Sequence, residues 1–288
     1  MATKATSSLS MGVIFFGDKR AEFFDQIWDG MMTYKVGLPS ETKLIRKVSD
    51  FSAQSQIEMI DQLEKEGIQG LIIAPYNDPL VAKRLKELHK KGIPVVCVNS
   101  DIPNSDRICY VGPDAYQSGV VAADILRILA QDKGEVGIIT GSRNIIGHEE
   151  RVRGFVDSIK RSHSNMTIES IQECKDDDYR CYEMVQKVMR DHPFISSFFF
   201  ATSGGIYGGC KGLYQMTTRK TFNVVTFDLL DPTKEFLKKG VVSASIYQEP
   251  LTQGILSLQV LADKLLEHKD PKSDVIHTNL SIKTRGCI

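Results

Sequence analysis

Apolar and polar positions along this chain follow two alternating periods. Short continuous apolar runs, such as Leu71-Ile72-Ile73 and Val95-Val96-Cys97-Val98, alternate with longer stretches in which apolar residues recur every three or four positions. Unbroken runs predict strands covered on both faces, as in parallel sheets, and the three-to-four spacing predicts amphipathic helices. Between the two runs just named, Val81, Leu85 and Leu88 repeat at helical spacing with Lys and Glu on the other face. The same pattern predicts further strands over 11–16, 43–48, 108–111, 135–140, 167–173, 197–201, 223–227, 243–248 and near 280–283. Helices are predicted over 22–36, 52–66, 117–130, 149–160, 179–191, 204–216, 233–238 and 251–268. Regular strand–helix alternation with right-handed crossovers gives doubly wound α/β sheets. The strands are too many for one comfortable sheet, and Tyr110-Val111-Gly112-Pro113-Asp114 reads as a passage between two interleaved lobes. Polar groups gather where strands end, at Tyr76-Asn77-Asp78 and Asn99-Ser100-Asp101. In open α/β sheets that carboxyl edge is where ligands bind.

With 288 residues, the chain has room for two ordinary domains. Thirty-six basic residues balance 36 acidic ones, which leaves no electrostatic footprint for nucleic acid or an anionic membrane. No apolar run approaches the roughly 20 residues needed to span a bilayer. The polar segment Met1–Ser10 does not resemble a signal peptide. The six cysteines, Cys97, Cys109, Cys174, Cys181, Cys210 and Cys287, lack C-x-x-C spacing, so no metal site is expected. Reduced thiols in a cytoplasmic protein are the preferred reading, with a Cys174–Cys181 disulfide as the alternative in an oxidising compartment. Catalytic signatures (G-x-S-x-G, H-E-x-x-H, a P-loop) are absent, so a non-enzymatic protein without cofactor is expected.

Five segments together carry a family resemblance: G-I-P-V-V-C-V-N-S-D (92–101), Y-V-G-P-D-A-Y-Q-S-G-V-V-A-A (110–123), E-R-V-R-G-F (150–155), N-V-V-T-F-D (223–228) and S-I-Y-Q-E-P-L-T-Q-G (245–254). In their order and spacing the chain resembles ribose/galactose-type periplasmic binding proteins and, more closely, the effector-binding core of LacI/GalR-family transcription regulators. The resemblance implies two doubly wound parallel-sheet lobes joined by three crossovers, 10–112 with 249–276 and 113–248 with 277–288. It also implies closure on a small polar ligand, usually a sugar. The ending L-S-I-K-T-R-G-C-I and the free cysteines favour the regulator branch. On that reading the chain is a cytoplasmic sugar sensor and homodimer. It would meet operator DNA only through an N-terminal helix-turn-helix that this chain lacks. The alternative is the periplasmic sugar-binding protein of an ABC importer.

Asp228 ends the apolar strand V-V-T-F, where a carboxylate can accept two hydroxyl protons; it also falls on the family's ligand-binding aspartate. Arg151 matches a family arginine whose planar fork donates to vicinal hydroxyls; an ion pair with Glu149 or Glu150 is the bland reading, and Arg153 is expected to be solvated. Gln248 aligns with a family glutamine at a crossover, or else bonds only to backbone. Asn99 stands where many sugar binders carry aspartate. Asp101 can substitute for it or cap a turn. Phe23 and Phe24 are candidates to pack against sugar C–H groups, with Phe15, Phe16 and Tyr76 ranked lower; a core role is as good for Phe24 and better for Trp28. Ser203-Gly204-Gly205 replaces a family Asn/Asp turn, and its bare N–H groups at a helix N-terminus would admit an acidic or phosphorylated sugar. His148, close by, is expected to be solvated.

Overall fold

The computed structural model describes residues 9–17, 21–216 and 221–288. The polar leader considered above lies mostly outside them. The chain folds into two compact units, residues 1–112 with 249–278 and residues 113–248 with 279–288, and passes between them three times.

The first unit opens with β1 (Ser10–Phe16), α1 (Ala21–Lys35), β2 (Lys43–Ser49), α2 (Ala53–Lys65), β3 (Gly70–Ile73), α3 (Pro79–Lys90), β4 (Val95–Val98) and β5 (Cys109–Gly112). The second follows with α4 (Ala115–Leu129), β6 (Lys133–Thr140), α5 (Ile146–Arg161), β7 (Asn165–Glu173), α6 (Asp178–Asp191) and β8 (Ile195–Phe200). It continues through α7 (Ile206–Tyr214), β9 (Asn223–Phe227), α8 (Asp231–Lys238) and β10 (Ala244–Tyr247). The chain then returns with α9 (Pro250–Glu267) and β11 (Val275–His277), followed by β12 (Ser281–Lys283) and a closing 3-10 turn (Arg285–Cys287). The first sheet runs β11-β5-β4-β3-β1-β2, and the second β12-β10-β9-β8-β6-β7. Every pairing is parallel except β10 with β12. The expectation of doubly wound parallel sheets therefore holds. β11 was not anticipated: it is a three-residue edge strand, two residues half-buried and His277 exposed, with no periodicity to betray it.

The unbroken apolar strands are buried as their pattern requires. β3, β4 and β5 are covered along their whole length, and each fully buried Ile, Val or Phe contributes roughly 1.5–3 kcal/mol. In the second unit one face of the sheet packs Phe198 and Phe200 under α6 and α7. The other packs Phe199 and Phe227 under α4 and α5, with Phe155 stacked on Phe199 at 4.7 Å.

Two glycines set how closely α4 and α5 approach. A β-carbon on Gly154 would stand 2.0 Å from the Tyr116 carbonyl oxygen, and one on Gly119 would stand 2.0 Å from that of Arg151. Backbone cannot yield as a side chain can, so Gly154→Ala is expected to cost about 1–3 kcal/mol of stability. A denaturant midpoint unchanged from the parent protein would contradict this. The close packing bears on function, because it fixes the helix that carries Arg151.

Candidate functional site

α5 buries a stripe formed by Gly147, His148, Arg151, Gly154, Phe155, Ser158 and Ile159. That three-to-four spacing turns Arg151 inward, leaving it 5% exposed. Arg153 points out and pairs with Glu150, while Arg143 takes Glu149. The surface ion pair weighed for Arg151 therefore belongs to its neighbours.

At the carboxyl edge of the second sheet, Arg151 meets two other candidates. Its Nη2 donates to Gln248 Oε1 and its Nη1 to the Ala201 carbonyl at 3.1 Å. The guanidinium lies 4.0 Å from the Phe227 ring centroid. Gln248 Nε2 donates in turn to both carboxylate oxygens of Asp228, at 3.0 and 2.9 Å. Ser203, half-buried in the β8–α7 turn, adds to the pull on the Asp228 carboxyl. Asp228 follows β9 in the left-handed region (φ 61°), anchored by its N–H to the Ile246 carbonyl at 2.9 Å. Asp228 and Gln248 are 2% and 1% exposed. The structure thus joins Arg151, Gln248 and Asp228 in one buried polar chain. Burial pushes the Asp228 carboxyl up from its ordinary 3.8 to about 6, against the pull of Gln248, the Arg151 charge and Ser203. A buried carboxylate held this high is poorly solvated and gains from hydroxyl donors brought to it.

Beneath Ser203 lies a second network that sequence reasoning missed. Asp176, buried and left-handed (φ 59°), accepts from Thr202 Oγ1 at 2.5 Å and from the Ser142 N–H at 3.1 Å. Its carboxylate thereby ties the β6–α5 and β8–α7 turns together. Asp176 sits in the run Lys175-Asp176-Asp177-Asp178, which reads as solvated caps; Asp177 does cap α6 through the Arg180 N–H at 2.9 Å. His148 is buried, its Nδ1 3.1 Å from the Ser142 carbonyl, contrary to the solvated reading. Two N–H groups around the α7 N-terminus are taken within the protein. The Gly208 N–H donates to Asp178 Oδ1 at 3.2 Å and the Gly204 N–H to Thr202 Oγ1 at 3.0 Å.

In the first unit the candidates separate. Asn99, at the end of β4, is left-handed (φ 63°), and its Nδ2 is buried without a hydrogen-bond partner, a donor suited to a ligand oxygen. Asp101 is occupied elsewhere: it holds Arg107 through two bonds of 2.5 Å and caps its own loop through the Ile102 N–H at 2.8 Å. Phe23 and Phe24 are 5% and 4% exposed. Phe24 stacks on Phe15 at 5.1 Å and Phe16 on Phe51 at 4.6 Å, so these rings pack one another in the interior. Trp28, favoured for the core, is only half-buried beside Arg46. Tyr76 is half-buried, its N–H donating at 2.8 Å to Gln56, a fully buried amide that also braces the Ala74 carbonyl.

Comparison with known proteins bears on the family. A sequence profile described as the periplasmic binding protein domain matches residues 11–270. The chain belongs to that family. A D-ribose/D-allose-binding protein of Pseudomonas aeruginosa is 23% identical over 91% of this chain and 85% of its own length. A xylitol-binding protein of Mycolicibacterium smegmatis is 22% identical over 89% of this chain and 72% of its own length. Among solved structures, an ABC transporter solute-binding protein from Burkholderia graminis C4D1M, in complex with D-arabinose, superposes with a TM-score of 0.90. It is 25% identical, with 99% of this chain and 98% of that one covered. These relatives overturn the regulator reading, with its operator DNA and repressor role. The family is one of periplasmic binding proteins, which equally overturns the cytoplasmic placement. The ending L-S-I-K-T-R-G-C-I misled because it follows from the fold: Ser281–Lys283 is the antiparallel edge strand beside β10, which a binding protein needs as much as a regulator.

Proposed function

We propose that this chain is an extracytoplasmic solute-binding protein that delivers an uncharged sugar or polyol to an ABC importer. The observation that carries this reading is the buried chain Arg151–Gln248–Asp228 at the carboxyl edge of the second sheet. It offers a carboxylate, an amide and a guanidinium side by side, a set that both accepts from and donates to vicinal hydroxyls. The named relatives bind ribose or allose, xylitol and arabinose, all uncharged polyhydroxyl compounds. An anionic sugar is disfavoured, since Asp228 would repel it and the α7 N-terminal N–H of Gly208 is taken by Asp178.

Thermal melts with D-ribose, D-allose, xylitol, D-arabinose and a sugar phosphate test the reading. At 100 times its Kd a ligand stabilises the native state by about 2.7 kcal/mol, so at least one neutral compound is expected to raise Tm while the phosphate does not. No shift with any neutral compound at millimolar concentration would refute the proposal.

A further inference from the structure

Arg151 enters the candidate site from α5, and two loops set where its guanidinium points. Nη1 donates to the Ala201 carbonyl at 3.1 Å, just past the end of β8. The next residue, Thr202, is 1% exposed; its hydroxyl donates to Asp176 Oδ1 and accepts from the Gly204 N–H. Its carbonyl accepts from Thr226 Oγ1 at 3.4 Å, two residues before Asp228 in the chain. The other Asp176 oxygen accepts from the Ser142 N–H at 3.1 Å, in the loop that leads into α5. The Ser142 carbonyl in turn meets His148 Nδ1 and the Ile145 N–H, each at 3.1 Å. His148 lies three positions before Arg151 on the same buried stripe of α5.

One carboxylate therefore fastens both the start of the helix that carries Arg151 and the carbonyl that its fork grips. Ser142 and Thr202 belong to neither a helix nor a strand, so side-chain bonds give them the placement that a ladder gives elsewhere. Bonds to an ionised acceptor are roughly twice as strong as neutral ones. The fit is close: a β-carbon on Gly141 would stand 2.3 Å from Asp176 Oδ1, and one on Gly204 would stand 2.6 Å from it.

We propose that Asp176 is a positioning residue for sugar binding: its carboxylate, acting through Thr202 and Ser142, holds the Arg151 guanidinium in the orientation that meets ligand hydroxyls. This rests on the sugar-binding reading above. A binding constellation has to be held to within about 0.5 Å of its productive geometry, and the Ala201 carbonyl is one of the acceptors that hold this fork.

The test uses two substitutions in the full chain, each made with and without Arg151→Lys. Asp176→Asn removes the charge and one acceptor oxygen, and Thr202→Val removes only the hydroxyl between Asp176 and the Ala201 turn. Folding is established by circular dichroism and by a melting point well above the titration temperature. Calorimetry with D-ribose, D-allose, xylitol and D-arabinose then gives affinities. With Arg151 present, each substitution should cost roughly tenfold. In the Arg151→Lys background, which has no fork to aim, each should cost less than about twofold. An Asp176 that only stabilises the fold, or that touches sugar itself, costs the same factor in both backgrounds. That result, or parental affinity in Thr202→Val, overturns the proposal; should Asp176→Asn fail to fold, Thr202→Val carries the comparison alone.

A second readout needs no ligand. The guanidinium N–H signal of Arg151 in NMR spectra, identified by its loss in Arg151→Lys, should shift or broaden in Thr202→Val, and a signal that stays in place overturns the proposal. A parent protein that binds none of the four compounds while this signal moves sinks the proposed function alone. A parent that binds one of them, with equal losses in both backgrounds, sinks the positioning role alone.

Discussion

Arg151→Ala is expected to weaken sugar binding by about 2–5 kcal/mol, a loss of roughly thirtyfold to several-thousandfold. The guanidinium stands at the head of the buried chain through Gln248 to Asp228. Removing it takes away a planar donor and leaves the Gln248 carbonyl without its charged partner. The variant should also melt lower, since the Asp228 carboxylate then sits buried with less compensation. Binding must therefore be measured by calorimetry on protein shown to be folded. Arg151→Lys separates the effects: it keeps the charge but not the fork, so stability should largely return while affinity stays well below the parent. An Arg151→Lys protein with parental affinity for the best neutral sugar would show that the fork does not touch ligand.

Much of the fold was legible because strand burial leaves a plain mark. β3 and β4 read correctly from unbroken apolar runs, and α3 from Val81, Leu85 and Leu88, all of which are buried. β11 left no mark, being three residues on an edge. In the candidate site, Asp228, Arg151 and Gln248 could be singled out because each ends or faces a recognisable element. Their joining could not be foreseen: Arg151 and Gln248 are 97 residues apart in sequence, and only the register of α5 against the sheet edge brings them together. Asp101 is the opposite case. A carboxylate at a strand end looks available until the loop returns Arg107 to it. Phe23 and Phe24 pack ring to ring at the start of α1, an arrangement with the same sequence signature as an open aromatic platform.

Asp228→Asn is expected to stabilise the ligand-free protein at neutral pH while weakening its hold on sugar. The native carboxyl titrates at about 6 against an ordinary 3.8, so between those values the folded protein binds more protons than the unfolded chain. Stability contributed by this group therefore falls as pH rises through that window, reaching a deficit of about 3 kcal/mol above pH 6. An amide carries no such deficit. The variant should gain up to that amount at pH 7 and lose this part of its pH dependence, as denaturant melts at pH 4.5 and 7 would record. Ligand affinity runs the other way. Sugar hydroxyls donate to the ionised carboxylate, so binding to the parent should decline as pH drops below about 6, by at most roughly tenfold per unit, whereas the amide variant should bind weakly at both pH values. The opposed slopes share one cause: an under-solvated carboxylate costs stability while the site is empty and is relieved when hydroxyl donors arrive. A variant that melts no higher than the parent at pH 7, or a parent whose affinity is flat from pH 7 to 4.5, would show that Asp228 is not the group the sugar relieves.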